Sequence, residues 1–268
     1  MRKGRHFISW GRLAWLLPAA IAAAGFALQA GCSGNPGTAQ APPPLATILK
    51  QAATAAAGGP VTISYKTSDG WTIVGDLYRP MHPSKEAVLL LHERGGSGQD
   101  WSELCRALAT AGITALAIDQ RGAGRSTSGP GGTGSNAPRR TSGDIAAAVA
   151  QLARYGAMGL CGASYGANNA LIYAAAHPRQ IRSVVLYSPG ANYFGLLTLA
   201  PARRSHFPVL IFHGAADGIA DGGPQEIYSN LPGRDKTLKI LPGGKHGTAL
   251  LSRQTIEETT SFFRRTLK

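Results

Sequence analysis

The chain has 268 residues, 44% of them hydrophobic, with 35 glycines and a formal net charge of +13. That apolar share excludes a wholly disordered chain and suffices for one sizeable core. Its basic residues are scattered, in pairs at most (Arg203-Arg204, Arg264-Arg265), and no nucleic-acid motif accompanies them, so nucleic acid is not an expected partner.

Residues 1–31 read as an address. Arg2, Lys3, Arg5 and Arg12 form a basic stretch, followed by an apolar run from Leu13 to Leu28 that carries Pro18 and is short for a membrane span. Setting those four charges aside leaves +9 for the remainder. Leu28-Gln29-Ala30-Gly31-Cys32 then resembles the lipobox of bacterial lipoproteins, although Gln29 stands where leucine is usual. The resemblance implies that Cys32 is lipidated and anchors the chain to a membrane. Cleavage near Ala30 with secretion, and an uncleaved anchor, are the alternatives. All three place the body outside the cytoplasm, at the cell envelope or beyond. Residues 32–59, rich in Gly, Ala and Pro with Lys50 as their single charge, read as a linker.

Residues 60–268 are expected to form one α/β domain. Val61 to Thr67 alternates apolar and polar, and Ser68-Asp69-Gly70 turns into Trp71 to Leu77, predicting an antiparallel hairpin. Ala87 to His92 is a continuous apolar run, as in a strand covered on both faces. Trp101, Leu104, Cys105, Leu108 and Ala109 share one helical face, and Ile113 to Ile118 is the next strand. Thr141 and Asp144 suggest a capping box ahead of Ile145, Ala148, Val149 and Leu152. Strands at Ala157–Cys161, Ser183–Tyr187, Val209–Phe212 and Thr237–Leu241 follow, with helices at Ala167–Ala176 and Ser252–Thr266. This alternation predicts a mostly parallel sheet with helices on both faces. Cys105 and Cys161 fall within it and are expected to be small buried residues rather than a disulfide.

The chemistry is carried by Gly162-Ala163-Ser164-Tyr165-Gly166, between an apolar run and a helical one. A strand turning tightly into a helix there leaves room only for small flanking residues and pushes the serine oxygen clear of the sheet. In a glycine-rich chain the pattern alone is weak. Downstream, however, stand Asp217, behind a strand and the Gly214-Ala215-Ala216 turn, and His246 between glycine-bearing segments. A serine hydroxyl attacks a carbonyl only when a base removes its proton, and the base needs an acidic partner to fix its tautomer. Ser164 is the expected nucleophile, His246 the base and Asp217 its partner, with Asp221 as the rival acid. His213 and Asp119 read as structural, Asp119 holding the loop that follows it.

These motifs, together with Asp69-Gly70, Leu91-His92-Glu93-Arg94-Gly95-Gly96, Asp119 to Ser126 and Phe212-His213-Gly214, resemble the α/β-hydrolase family over nearly all of residues 61–268. The resemblance implies an α/β-hydrolase fold with little or no lid. It implies a serine esterase without metal or cofactor, acting on small-molecule esters through an acyl-enzyme. It also implies an oxyanion hole made by the backbone N–H groups of Tyr165 and Arg94. Glu93 stands where glycine is usual, which is similar to the dienelactone hydrolase branch, whose nucleophile is usually cysteine. Glu93 is expected either to pair with Arg94 or Arg121 at the rim or to touch Ser164. Peptidase or acyltransferase activity, and a non-catalytic binding protein on the same scaffold, remain the alternatives. Tyr193, Phe194 and Leu196 are candidate pocket walls, in a segment (Ala191 to Phe207) where larger relatives insert a lid.

Overall fold

The computed structural model describes residues 59–82, 85–130, 141–220 and 222–268. The leader, Cys32, the linker and Asp221 lie outside the described residues. Among the described residues, ten strands alternate with six α-helices: β1 Val61–Lys66, β2 Thr72–Tyr78, β3 Glu86–Leu91, α1 Ser102–Thr110, β4 Thr114–Asp119, α2 Thr141–Gln151, β5 Ala157–Ala163, α3 Tyr165–Ala176, β6 Ile181–Tyr187, β7 Asn192–Tyr193, β8 Leu196–Leu197, α4 Leu199–Arg203, β9 Val209–Gly214, α5 Gly223–Asn230, β10 Lys236–Leu241 and α6 Arg253–Thr266.

Eight strands form one sheet in the order β1-β2-β4-β3-β5-β6-β9-β10. β2 runs antiparallel to both β1 and β4, and the others are parallel. Burial follows position in the sheet. Every residue of β4 is buried, whereas edge strands β1 and β10 alternate between exposed and half-buried residues. Parallel central strands covered on both faces are continuous apolar runs for this reason.

Alternate residues of each strand feed two cores. Leu89 and Leu91 of β3 join Ile145 and Ala148 of α2 and Ala170 and Leu171 of α3 on one face. Val88 and Leu90 join Leu104, Cys105 and Leu108 of α1 and Phe262 and Phe263 of α6 on the other. The fold is thus an α/β-hydrolase fold. Cys105 and Cys161 are buried free thiols. Among the described residues, no helix is long and apolar enough to cross a membrane.

One local expectation fails. The Asp144 carboxylate is not a capping partner for Thr141. It accepts from Arg121 Nε at 2.8 Å and from the Arg121 backbone N–H at 2.9 Å. Arg121 also reaches Asp69 at 2.7 Å, so a guanidinium with no exposed side-chain surface lies between two carboxylates. A buried cation must be paired, and that demand outweighs a capping contact worth about 1 kcal/mol. Asp119 does hold its loop as expected. It accepts from Gly98 N–H at 2.7 Å and from Arg125 N–H and Nε at 3.0 and 2.7 Å.

Candidate active site

β5 ends at Ala163 and α3 begins at Tyr165, so Ser164 alone makes the turn, at φ +49° and ψ −115°. A non-glycine residue at positive φ is strained and persists where neighbouring structure imposes it. Two contacts show why glycines flank it. A β-carbon on Gly162 would run into the Gly166 carbonyl, and one on Gly166 into the carbonyls of Leu91 and His92. The elbow therefore presses directly against the end of β3 and the loop that follows.

His246 comes from the loop after β10, at the entry to a short 3-10 turn, Gly247–Leu250. Its Nε2 lies 2.8 Å from Ser164 Oγ. Its Nδ1 lies 2.8 and 3.0 Å from the two oxygens of Asp217. Asp217 follows β9, in a turn fixed by the bonds Ala215 N–H to Leu241 C=O and Ala216 N–H to Gly243 C=O. The three candidate residues, from three separate loops, form one hydrogen-bonded chain. With the imidazole between a hydroxyl and a carboxylate, the arrangement can move a proton off Ser164 Oγ while an acid partner steadies the charge.

Burial alone would raise the Asp217 carboxyl. Hydrogen bonds from His246 and then Ser188, the charge of His246 and the Ile219 N–H instead hold it below the usual carboxylate range. His213, read as structural, is buried with its Nδ1 3.8 Å from the same carboxylate. Burial lowers its basicity against the pull of Asp217.

The lid position holds only the hairpin β7–β8 and helix α4. Tyr193 sets its ring edge-on to His246, 6.2 Å between centroids, and its hydroxyl donates to Ser188 C=O at 3.3 Å. Burial and then the Asp217 charge raise that phenol, so it stays protonated. Phe194, exposed and at φ +53°, stands edge-on to Tyr165 at 6.3 Å. The Arg94 guanidinium covers the Phe194 ring at 4.2 Å. The Leu196 carbonyl accepts from Asn168 Nδ2 at 3.0 Å, which ties the hairpin to α3.

Tyr165 opens α3, and Arg94 lies in the turn closed by Gly96 N–H to Glu93 C=O at 3.1 Å. The Gly166 contact brings these segments together. Glu93 pairs with neither arginine. Its Oε1 accepts from Thr248 Oγ1 at 2.5 Å, and its carboxylate lies against Gly247. Arg121 is occupied by Asp69 and Asp144, and Arg94 by Phe194, which leaves Glu93 to the loop that carries His246. Thr248 and Ser188 escaped the sequence reading. For Ser188 the only signal was its place at the carboxyl end of a parallel strand, where ligands gather in open α/β sheets. Among the described residues, no cluster of three or more His, Cys, Asp or Glu side chains is arranged to hold a metal.

A family model described as serine aminopeptidase, S33, matches residues 82–198 and 195–250. No curated protein sequence matches. Among solved structures, the chain is similar to a dienelactone hydrolase from Anabaena variabilis, with 19% identity, a TM-score of 0.62, and 78% of this chain and 100% of that one covered. It is also similar to an esterase of Pyrococcus furiosus, with 19% identity, a TM-score of 0.66, and 78% and 93% covered. A cold-adapted esterase from an Arctic intertidal metagenomic library gives 24% identity, a TM-score of 0.59, and 77% and 93% covered.

Proposed function

The chain belongs to the serine aminopeptidase S33 family and is a hydrolase of α/β-hydrolase fold, and on that premise we propose that it cleaves carboxylic esters through an acyl-enzyme at Ser164. The observation that carries the proposal is the hydrogen-bonded chain from Ser164 Oγ through His246 to Asp217, 2.8 Å at each side of the imidazole. Ser164 Oγ forms a bond to the ester carbonyl carbon while His246 Nε2 takes its proton. His246 then returns that proton to the departing alkoxide as the carbon–oxygen bond breaks. Water, deprotonated by His246, cleaves the acyl-serine. The N–H groups of Tyr165 and Arg94 hold the oxyanion, each such donor being worth about 3 kcal/mol in the transition state.

What favours esters over peptides with a free amino terminus is charge. An α-ammonium group calls for a carboxylate near the nucleophile. Glu93 is instead bonded to Thr248, while Arg94 places a cation over Phe194. The test is a panel of p-nitrophenyl acetate, butyrate and octanoate beside leucyl-p-nitroanilide, with wild type and Ser164→Ala. Ester turnover that Ser164→Ala abolishes is the expected result. Turnover confined to the anilide would make the chain an aminopeptidase instead.

The envelope tether is part of the same proposal. It is supported by the basic stretch, the apolar run and Ala30-Gly31-Cys32. The full chain is expected to enter the detergent phase of Triton X-114 when made in a bacterial host, and Cys32→Ala the aqueous phase. Equal partition would refute lipidation.

A further inference from the structure

Ser188 is the first residue after β6, in Tyr187-Ser188-Pro189-Gly190. It is wholly buried and sits at φ +47°, a conformation that glycine adopts freely and serine does not. Its N–H donates to Phe212 C=O of β9 at 2.8 Å, which fixes the backbone beside the strand leading to Asp217. From there its hydroxyl oxygen accepts from the N–H of Gly247, the residue after His246, at 3.1 Å. Its carbonyl accepts from the Tyr193 hydroxyl at 3.3 Å, beneath the ring that leans on His246.

A backbone N–H only donates, so the Ser188 oxygen is the acceptor in that bond. Buried serines commonly satisfy themselves on their own helix or turn. This one is spent on a group far away in sequence, Gly247 being 59 residues on.

We infer that Ser188 is a positioning residue of the active site, one hydroxyl that holds the loop carrying His246 against the end of β6, beside the strand leading to Asp217. It touches neither substrate nor the reacting atoms. The inference rests on the reading of Ser164, His246 and Asp217 as the catalytic residues.

The test is Ser188→Gly and Ser188→Ala, assayed with p-nitrophenyl butyrate beside wild type and Ser164→Ala, with the folded fraction measured by circular dichroism. Glycine suits φ +47°, so Ser188→Gly removes the hydroxyl without adding backbone strain. In both variants kcat per folded molecule should fall about tenfold, the scale of a buried N–H left without its acceptor, with KM unchanged. A serine with only a structural role would lower Tm and leave the kcat of the folded molecules alone, which would overturn the inference. The two readings fail separately. Turnover that ignores Ser164→Ala overturns both, whereas turnover that needs Ser164 and ignores Ser188 overturns this one only.

Discussion

The Glu93 carboxylate occupies the space where a β-carbon on Gly247 would stand, and it accepts a hydrogen bond from the next residue, Thr248. The loop after β3 thereby braces the loop that carries His246. Gly247 sits at φ +55°, so an L side chain there meets both the carboxylate and a disfavoured backbone. Gly247→Ala should lower kcat about tenfold or more, as a displaced base does. Glu93→Ala in the same chain should restore part of that loss, since it removes the clash and leaves the φ strain. The cycle of single and double variants, read as kcat on p-nitrophenyl butyrate, checks the contact. Strict additivity would contradict it.

Asp217→Asn should keep the fold and lower kcat about 10³- to 10⁴-fold, because an amide cannot hold the Nδ1–H tautomer of His246. His213 is not expected to substitute for His246, since its Nδ1 is buried 3.8 Å from the carboxylate. Steady-state kinetics with matched circular dichroism spectra measure this directly.

Stability should fall in acid through a defined set of groups. Asp69 is lowered from 3.8 to about 2, chiefly by the hydrogen bond from Arg121 and then by Thr67. For Asp76, burial raises the carboxyl but Arg125 and Thr62 bring it below its ordinary value. Folded-state values below unfolded ones mean that the stabilisation is fully present above about pH 4 and is lost as pH falls through the folded values. Tm is expected to be level from pH 7 to 5 and to drop between about pH 4 and 2. Arg125→Met should lower Tm at pH 7 more than at pH 3. Equal losses at the two pH values would contradict the assignment.

Phe194 is 57% exposed, yet it stands between Tyr165 and the Arg94 guanidinium. Removing its ring should cost about 1 kcal/mol of stability or less, as for a cation–π contact near solvent. If it walls the acyl pocket, Phe194→Ala should raise KM for the octanoate ester and leave KM for the acetate near wild type. The ratio of the two KM values is the measurement.

Much of the fold was legible because burial and periodicity agree. Residues 113–118 read as a buried strand for the reason that β4 is covered on both faces, and the alternation of Val61 to Thr67 marks a sheet edge. The meeting of Ser164, Asp217 and His246 was legible through chain order and turn residues, which reflect local backbone demands. What the sequence hid depends on contacts between distant loops. Asp144 has the spacing of a capping residue, but a buried Arg121 claims it. In sequence Glu93 is expected to pair with Arg94 or Arg121 or to touch Ser164, and it meets Thr248 in space. Ser188 bears no motif at all, because its φ and partners arise only once β6, β9 and the His246 loop are packed together.

The most direct test is the intact mass of the protein quenched during turnover of p-nitrophenyl butyrate, followed by peptide mapping. The account predicts a butyryl adduct on the peptide containing Ser164, absent from Ser164→Ala and strongly diminished in a variant of His246, the base for its formation. Ester turnover with no adduct on Ser164, or with the adduct on another residue, would contradict it.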